Sequence, residues 1–159
     1  MWPEIIEIPK VSRVIIKDFG IIKRADLQFS PDLNIIIGEK ASGKTTIIKY
    51  LLNNACPDYK MKSIGEQIIY HIDLFTDERG ILIDDLLTYL DKKKFTYALK
   101  KLAKCKRQVI VTLRNNLYSL AYIKKIKANI INTKEFQLKS PDTIKNELEY
   151  KKKLNGYEN

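Results

Sequence analysis

The sequence predicts an α/β fold, with a mostly parallel core sheet flanked by helices and an antiparallel β layer at its N-terminal end. Three observations carry that expectation. Residues 34–50, NIIIGEKASGKTTIIKY, place a glycine-rich loop between a β-branched run and a helix-compatible run. Residues 81–85, ILIDD, are a short apolar run that ends in two acids. Residues 108–112, QVIVT, are a second such run. Short continuous apolar runs suit strands covered on both faces, as in a parallel sheet between helices.

Taken in order, residues 4–8 (EIIEI) and 11–17 (VSRVIIK) are β-rich and separated by Pro9. Val14 and Ile16 alternate with Ile15 and Lys17, which is a strand with one buried face. Gly20 ends it, residues 25–29 alternate again through Leu27 and Phe29, and Ser30-Pro31-Asp32 is a turn. Residues 33–37 are the buried strand before the loop, the third or fourth of the chain. The helix from Gly43 is expected to end near Asn53-Asn54, ahead of Pro57, with residues 55–62 as a connector. Ser63 can cap a helix from about Gly65, in which Ile64, Ile68, Ile72 and Phe75 share one face. Asp91 starts another, with Phe95, Leu99 and Leu102 inward and Lys100, Lys101 and Lys104 outward. Residues 115–122 suggest a short helix. Residues 129–133 and 135–139 suggest two last strands or a hairpin. Ser140-Pro141-Asp142 opens a final helix, with proline at its first position, running from Thr143 to about Leu154 before residues 155–159 fray. The 159 residues are read as a single domain, with about 140–159 as its C-terminal helix and tail.

The loop carries the clearest chemistry. Gly38-Glu39-Lys40-Ala41-Ser42-Gly43-Lys44-Thr45 fits G-x-x-x-x-G-K-[ST] at every fixed position. Glycines there let the backbone aim successive N–H groups at one anion, and the helix start adds partial positive charge. In that motif Lys44 reaches the terminal phosphates and the Thr45 hydroxyl sits on Mg²⁺, with Thr46 next in the cradle. A carboxylate for the metal is expected at the end of a strand beside the loop's own strand. Asp84 suits that role, and Asp85 is placed to orient an attacking water.

Composition narrows the classes. No apolar run approaches the roughly 20 residues of a membrane span. The N-terminal stretch, MWPEIIEIPK, lacks the basic-then-apolar order of a signal peptide. The expectation is an intracellular, cytoplasmic chain, or one in a host's cytoplasm if it comes from a mobile element. Cys56 and Cys105 match no metal spacing and read as two reduced cysteines. The net charge of +10 admits a nucleic-acid partner. It also admits compositional drift from an AT-rich genome, since only five of the 29 basic residues are arginine and lysine lacks arginine's phosphate-matching fork.

Several motifs together resemble one family. Ser63-Ile64-Gly65-Glu66-Gln67 looks like the S-x-G-[GE]-Q signature of ABC-type ATPases, upstream of Asp84 at about that family's spacing. The run from Asp84 to Asp91 is similar to the family's stretch from the metal aspartate through the D-loop. Residues 108–112 resemble the strand before its switch histidine. The opening VIIKDFGIIKRADLQFSPDLNIIIGE is close to the N-terminal β layer of the structural-maintenance-of-chromosomes and RecF-like branch. The resemblance covers about residues 11–114. It implies a P-loop fold, ATP and Mg²⁺ as ligands, and two copies meeting head to tail around the nucleotide. Ser63, Gly65, Glu66 and Gln67 of one copy would then face the phosphates held by the other, with D-loop Asp91 nearby. Catalysis would rest on positioning and charge stabilisation.

The departures shape the expected activity. Only 17 residues separate Thr45 from Ser63, so the family's long helical arm is reduced or absent, and a separate chain is one candidate to supply it. Asp85 stands where the family has glutamate, and misplacement by about 1 Å can cost on the order of a hundredfold in rate. Arg114, or Leu113, stands where the switch histidine is expected; an arginine there can stabilise phosphate charge but is no base. His71 lies mid-helix and reads as packed or surface. The expectation is secure nucleotide binding with slow hydrolysis resting on Lys44, Asp85 and Arg114. The alternatives are a small P-loop nucleotide or nucleoside kinase, against which scarce arginines count, and a non-hydrolysing, nucleotide-gated nucleic-acid-binding module.

Overall fold

The computed structural model describes residues 10–55, 58–62, 80–85, 92–105, 107–114 and 123–157. It opens with a hairpin, β1 (Arg13–Phe19) and β2 (Ile22–Gln28), paired antiparallel from Arg13↔Gln28 to Phe19↔Ile22. The second strand starts at Ile22, earlier than the alternation at 25–29 implies, because its first charged residues face solvent between buried Ile22 and Ala25. β3 (Leu33–Gly38) follows and is buried at every position. α1 (Lys44–Tyr50) continues as a π turn over Leu51–Ala55, close to the end the sequence suggests.

The expected connector at 55–62 contains a strand, β4 (Lys60–Lys62). Its lysines gave no apolar alternation, and it exists because β5 (Gly80–Ile83) offers a parallel partner. α2 (Lys92–Ala103) then presents Phe95, Ala98, Leu99 and Leu102 to the core and leaves Lys100 exposed, the amphipathic helix read from the sequence. β6 (Gln108–Arg114) is buried through Leu113.

β7 (Asn129–Asn132) and β8 (Gln137–Leu138) do not form a hairpin. A 3₁₀ turn at Thr133–Glu135 sends them to different sheets: β7 pairs parallel with β3, and β8 pairs antiparallel with β2. α3 (Pro141–Tyr157) starts at the proline as expected, with Ser140 Oγ accepting the Thr143 N–H at 3.2 Å. It extends past Asn155, which the sequence reading had fraying.

Among the described residues the core sheet is thus five parallel strands in the order β4-β5-β6-β3-β7, and the second sheet is β1-β2-β8. Alternation sorts the parallel strands into two faces. Ile35 and Ile37 of β3, Ile81 and Ile83 of β5, and Val109, Val111 and Leu113 of β6 cluster with α2. Ile36, Leu82 and Ile110 point the other way and cluster with Ile47, Ile48 and Leu51, under the apolar face of the hairpin at Ile16, Ile22 and Leu27. The helix that starts at the loop is therefore held between two sheets, and burying each such Leu or Ile contributes roughly 1.5–3 kcal/mol. Pro31 O receives Lys10 Nζ, and buried Gln108 ties the start of β6 to Val11, Ser30 and the Tyr59 hydroxyl. Among the described residues no helix is long and apolar enough to cross a membrane.

Candidate functional site

The loop leaves the C-terminal end of β3 in a conformation that only certain residues tolerate. Gly43 has φ +100°, a region that L side chains rarely adopt, and Ala41 sits at φ +60° before it. Gly38 is needed for room: a Cβ there would lie 2.0 Å from Thr133 Oγ1 and 2.6 Å from Ser42 Oγ. Residues alternating into the left-handed region turn neighbouring N–H groups toward a common point, the geometry of an anion-binding nest. Gly43 precedes α1 with no side-chain cap, and the first turn of the helix carries no acid. The helix itself thus supplies no side-chain cap for its first N–H groups, and Asp84, which accepts from Thr45, is a carboxylate set at this positive end.

Lys44 is buried, and its ammonium donates to the Gly38 and Glu39 carbonyls, 2.6 Å each. Burial lowers its pKa from the ordinary lysine value, opposed by the charge of Asp85, reinforced by Arg114, and opposed again by Asp84 and Glu39. The fold has brought these sequence-selected charges together around one cation.

Asp84 is not on a strand next to the loop's strand, as the sequence reading expected. β6 lies between β5 and β3, and its end completes the wall. Thr45 Oγ1 donates to Asp84 Oδ2 at 2.8 Å, and Thr112 Oγ1 donates to Asp84 Oδ1 at 2.5 Å. The Thr112 oxygen in turn accepts the Asp85 N–H at 2.7 Å. Asp85 holds φ +55°, an uncommon backbone state for a residue with a side chain. Its Oδ2 lies 3.6 Å from Arg114 Nη2, while its Oδ1 is buried without a hydrogen-bond partner among the described residues. Arg114 stands in register with Gly38, the first glycine of the loop, whereas Leu113 is buried in the core. Of the two, Arg114 is the one that lies beside Asp85.

The donor set suits Mg²⁺. It offers oxygen from a hydroxyl and from a carboxylate that accepts that hydroxyl's proton, leaving oxygen lone pairs for a hard cation. Among the described residues no group of three His, Cys, Asp or Glu side chains could hold a metal alone. Ser42 Oγ, at the loop itself, is another buried polar atom without a partner among the described residues.

The remaining sequence-selected residues divide cleanly. Glu39 and Lys40 are exposed on the loop. Thr46 faces the hairpin turn, where a Cβ on Gly20 would meet its methyl at 2.8 Å. Ser63, Gly65, Glu66, Gln67 and Asp91 lie outside the described residues, as do Cys56 and His71. The sequence reading missed Thr112 and Thr133. Thr112 had a signal: it is the lone hydroxyl between Val111 and Leu113 in an apolar buried strand, and burying a hydroxyl costs free energy unless it is bonded. Thr133 had none, since its role depends on the turn after β7 reaching Gly38. With Glu39, Ser42 and Phe136 it lines a cleft of about 380 Å³ on the outer flank of the loop.

No family model matches the chain. It is similar over part of its length to the DNA replication and repair protein RecF of several bacteria. The protein from Cronobacter sakazakii is 36% identical over 67 residues, 41% of this chain and 18% of the relative. That from Aliivibrio fischeri is 46% identical over 46 residues, 28% of this chain and 13% of the relative. That from Salmonella typhi is 46% identical over 39 residues, 24% and 11% respectively. The matches thus span less than a fifth of each of these relatives.

Proposed function

We propose that this chain binds ATP with Mg²⁺ and hydrolyses it slowly, as an ABC-type ATPase of the RecF-like kind acting in DNA metabolism. The observation that carries the reading is the Thr45–Asp84–Thr112 chain of hydrogen bonds, which sets a metal-suited carboxylate against the G-x-x-x-x-G-K-T loop. Partial similarity to proteins named for DNA replication and repair supports the direction. Lys44 and the loop N–H groups would hold the phosphates, and Thr45 and Asp84 would hold Mg²⁺, which would supply charge neutralisation at the transferred phosphoryl group. Asp85 orients water, weakly, because Arg114 draws on the same carboxylate.

The nucleotide joins two copies head to tail, with Ser63, Gly65, Glu66 and Gln67 of one copy closing on the phosphates of the other and Asp91 beside them. Sedimentation velocity with Mg-ATP and a slowly hydrolysed analogue tests this. A dimer that forms only with nucleotide and is lost in Ser63→Arg supports it; a nucleotide-bound monomer contradicts it. A second reading, nucleotide-gated binding without turnover, is favoured by the Asp85–Arg114 pair, which leaves the second carboxylate partly neutralised. Nucleic acid, in view of the net charge of +10, and a separate chain replacing the helical arm, in view of the 17 residues between Thr45 and Ser63, are the proposed partners.

A further inference from the structure

Thr112 is fully buried on β6, the strand that separates the loop's strand from the carboxylate strand. Valine would fill the same volume and match Val109 and Val111 on the same strand, so the hydroxyl is the part that needs an account. Its hydrogen-bond polarity is fixed by its partners. The Asp85 N–H can only donate, so the Thr112 oxygen accepts there, at 2.7 Å. Its single proton then goes to Asp84 Oδ1, at 2.5 Å. One hydroxyl thereby sets the orientation of the carboxylate that faces Thr45, and also braces the left-handed backbone that aims Asp85. The bracing matters because an Asp at φ +55° relaxes unless its surroundings hold it.

We infer that Thr112 is a positioning residue for both carboxylates, tuning Mg²⁺ affinity through Asp84 and the placement of the second carboxylate through the Asp85 backbone. Thr45 also donates to Asp84, but only to the other oxygen, so it cannot replace the contact that Thr112 makes. Removing the hydroxyl leaves Asp84 free to rotate about its remaining bond and leaves the Asp85 N–H without its partner. This rests on the proposed Mg-nucleotide site, and the test separates the two.

The test is ATP affinity by calorimetry, with Mg²⁺ and with EDTA, for the unmodified chain, Thr112→Val and Thr112→Ser. The readout is the ratio of the two affinities, the enhancement due to Mg²⁺. In Thr112→Val that enhancement falls by about tenfold or more, the usual effect of losing a partner that orients a metal ligand. Affinity in EDTA stays unchanged, and Thr112→Ser restores the enhancement. Should Thr112→Val fail to fold, Thr112→Cys carries the test with the same sign, since a thiol is only a weak donor. Three results overturn the inference: full enhancement in Thr112→Val (or, in its place, Thr112→Cys), equal weakening with and without Mg²⁺, or no rescue by serine. No ATP binding by the unmodified chain overturns the nucleotide reading itself, a result none of those three mimics.

Discussion

The two walls of the site are built in opposite ways. The G-x-x-x-x-G-K-T loop is one contiguous stretch between β3 and α1, and its backbone turn is set locally by Ala41 and Gly43, with Gly38 leaving room for Thr133. The facing wall is assembled from the ends of β5 and β6, where Thr112 meets Asp84 from 28 residues away and Thr45 meets it from 39. The loop depends on backbone geometry that few residues tolerate. The wall depends on tertiary pairing, on two hydroxyls, and on a single left-handed residue, Asp85, whose N–H Thr112 accepts. Changes to the loop should therefore cost affinity or fold outright, and changes to the wall should be graded and visible mainly with the metal.

The largest expected effect is Lys44→Ala. It removes a charge-assisted contact to phosphate, worth about 1.5–3 kcal/mol, so ATP affinity should fall on the order of 10- to 100-fold by calorimetry. Thermal stability should hold, because burial already disfavours the Lys44 ammonium. Gly38→Ala breaks the loop by crowding instead. The added methyl meets Thr133 and Ser42, and overpacking of that kind should cost about 1–3 kcal/mol in urea unfolding. Loss of affinity without loss of stability in Gly38→Ala would contradict the steric account.

Asp84→Asn sharpens the other side of the comparison. It should remove about tenfold or more of the Mg²⁺-dependent affinity and leave metal-free binding in place. Arg114→Ala should do least to the fold. The pair with Asp85 is more than half exposed on the arginine side, and such pairs contribute about 0–1 kcal/mol. A pH series probes the loop through Lys44. The folded pKa of Lys44 is lowered, so the unfolded chain holds that proton more tightly. Stability should rise with pH between the lowered value and the ordinary lysine value. ATP affinity should fall over the same window, as the cation that meets the phosphates is lost.

The same contrast explains what could be read from the sequence. The loop, the strand at 33–37, the run ending in Asp84 and the inward face of α2 were all legible, because each is a local pattern of spacing or composition. β4 was not, since Lys60–Lys62 carries no strand pattern and owes its form to β5. The split of β7 and β8 between two sheets was not, because either strand alone is compatible with a hairpin and only the pairings with β3 and β2 decide. The insertion of β6 between the two halves of the site was hidden for the same reason. It is what turned Thr112 from one more β-branched residue into a contact for both carboxylates.

The most direct test of the central claim, one Mg-nucleotide site made from a local loop and an assembled wall, is calorimetric titration of ATP into the purified chain, with and without Mg²⁺, beside Lys44→Ala and Asp84→Asn. The expected result is binding that Mg²⁺ strengthens, that Lys44→Ala weakens on the order of 10- to 100-fold under both conditions, and that Asp84→Asn reduces only when Mg²⁺ is present. Binding indifferent to Lys44, or an Asp84→Asn loss of equal size in EDTA, would contradict it.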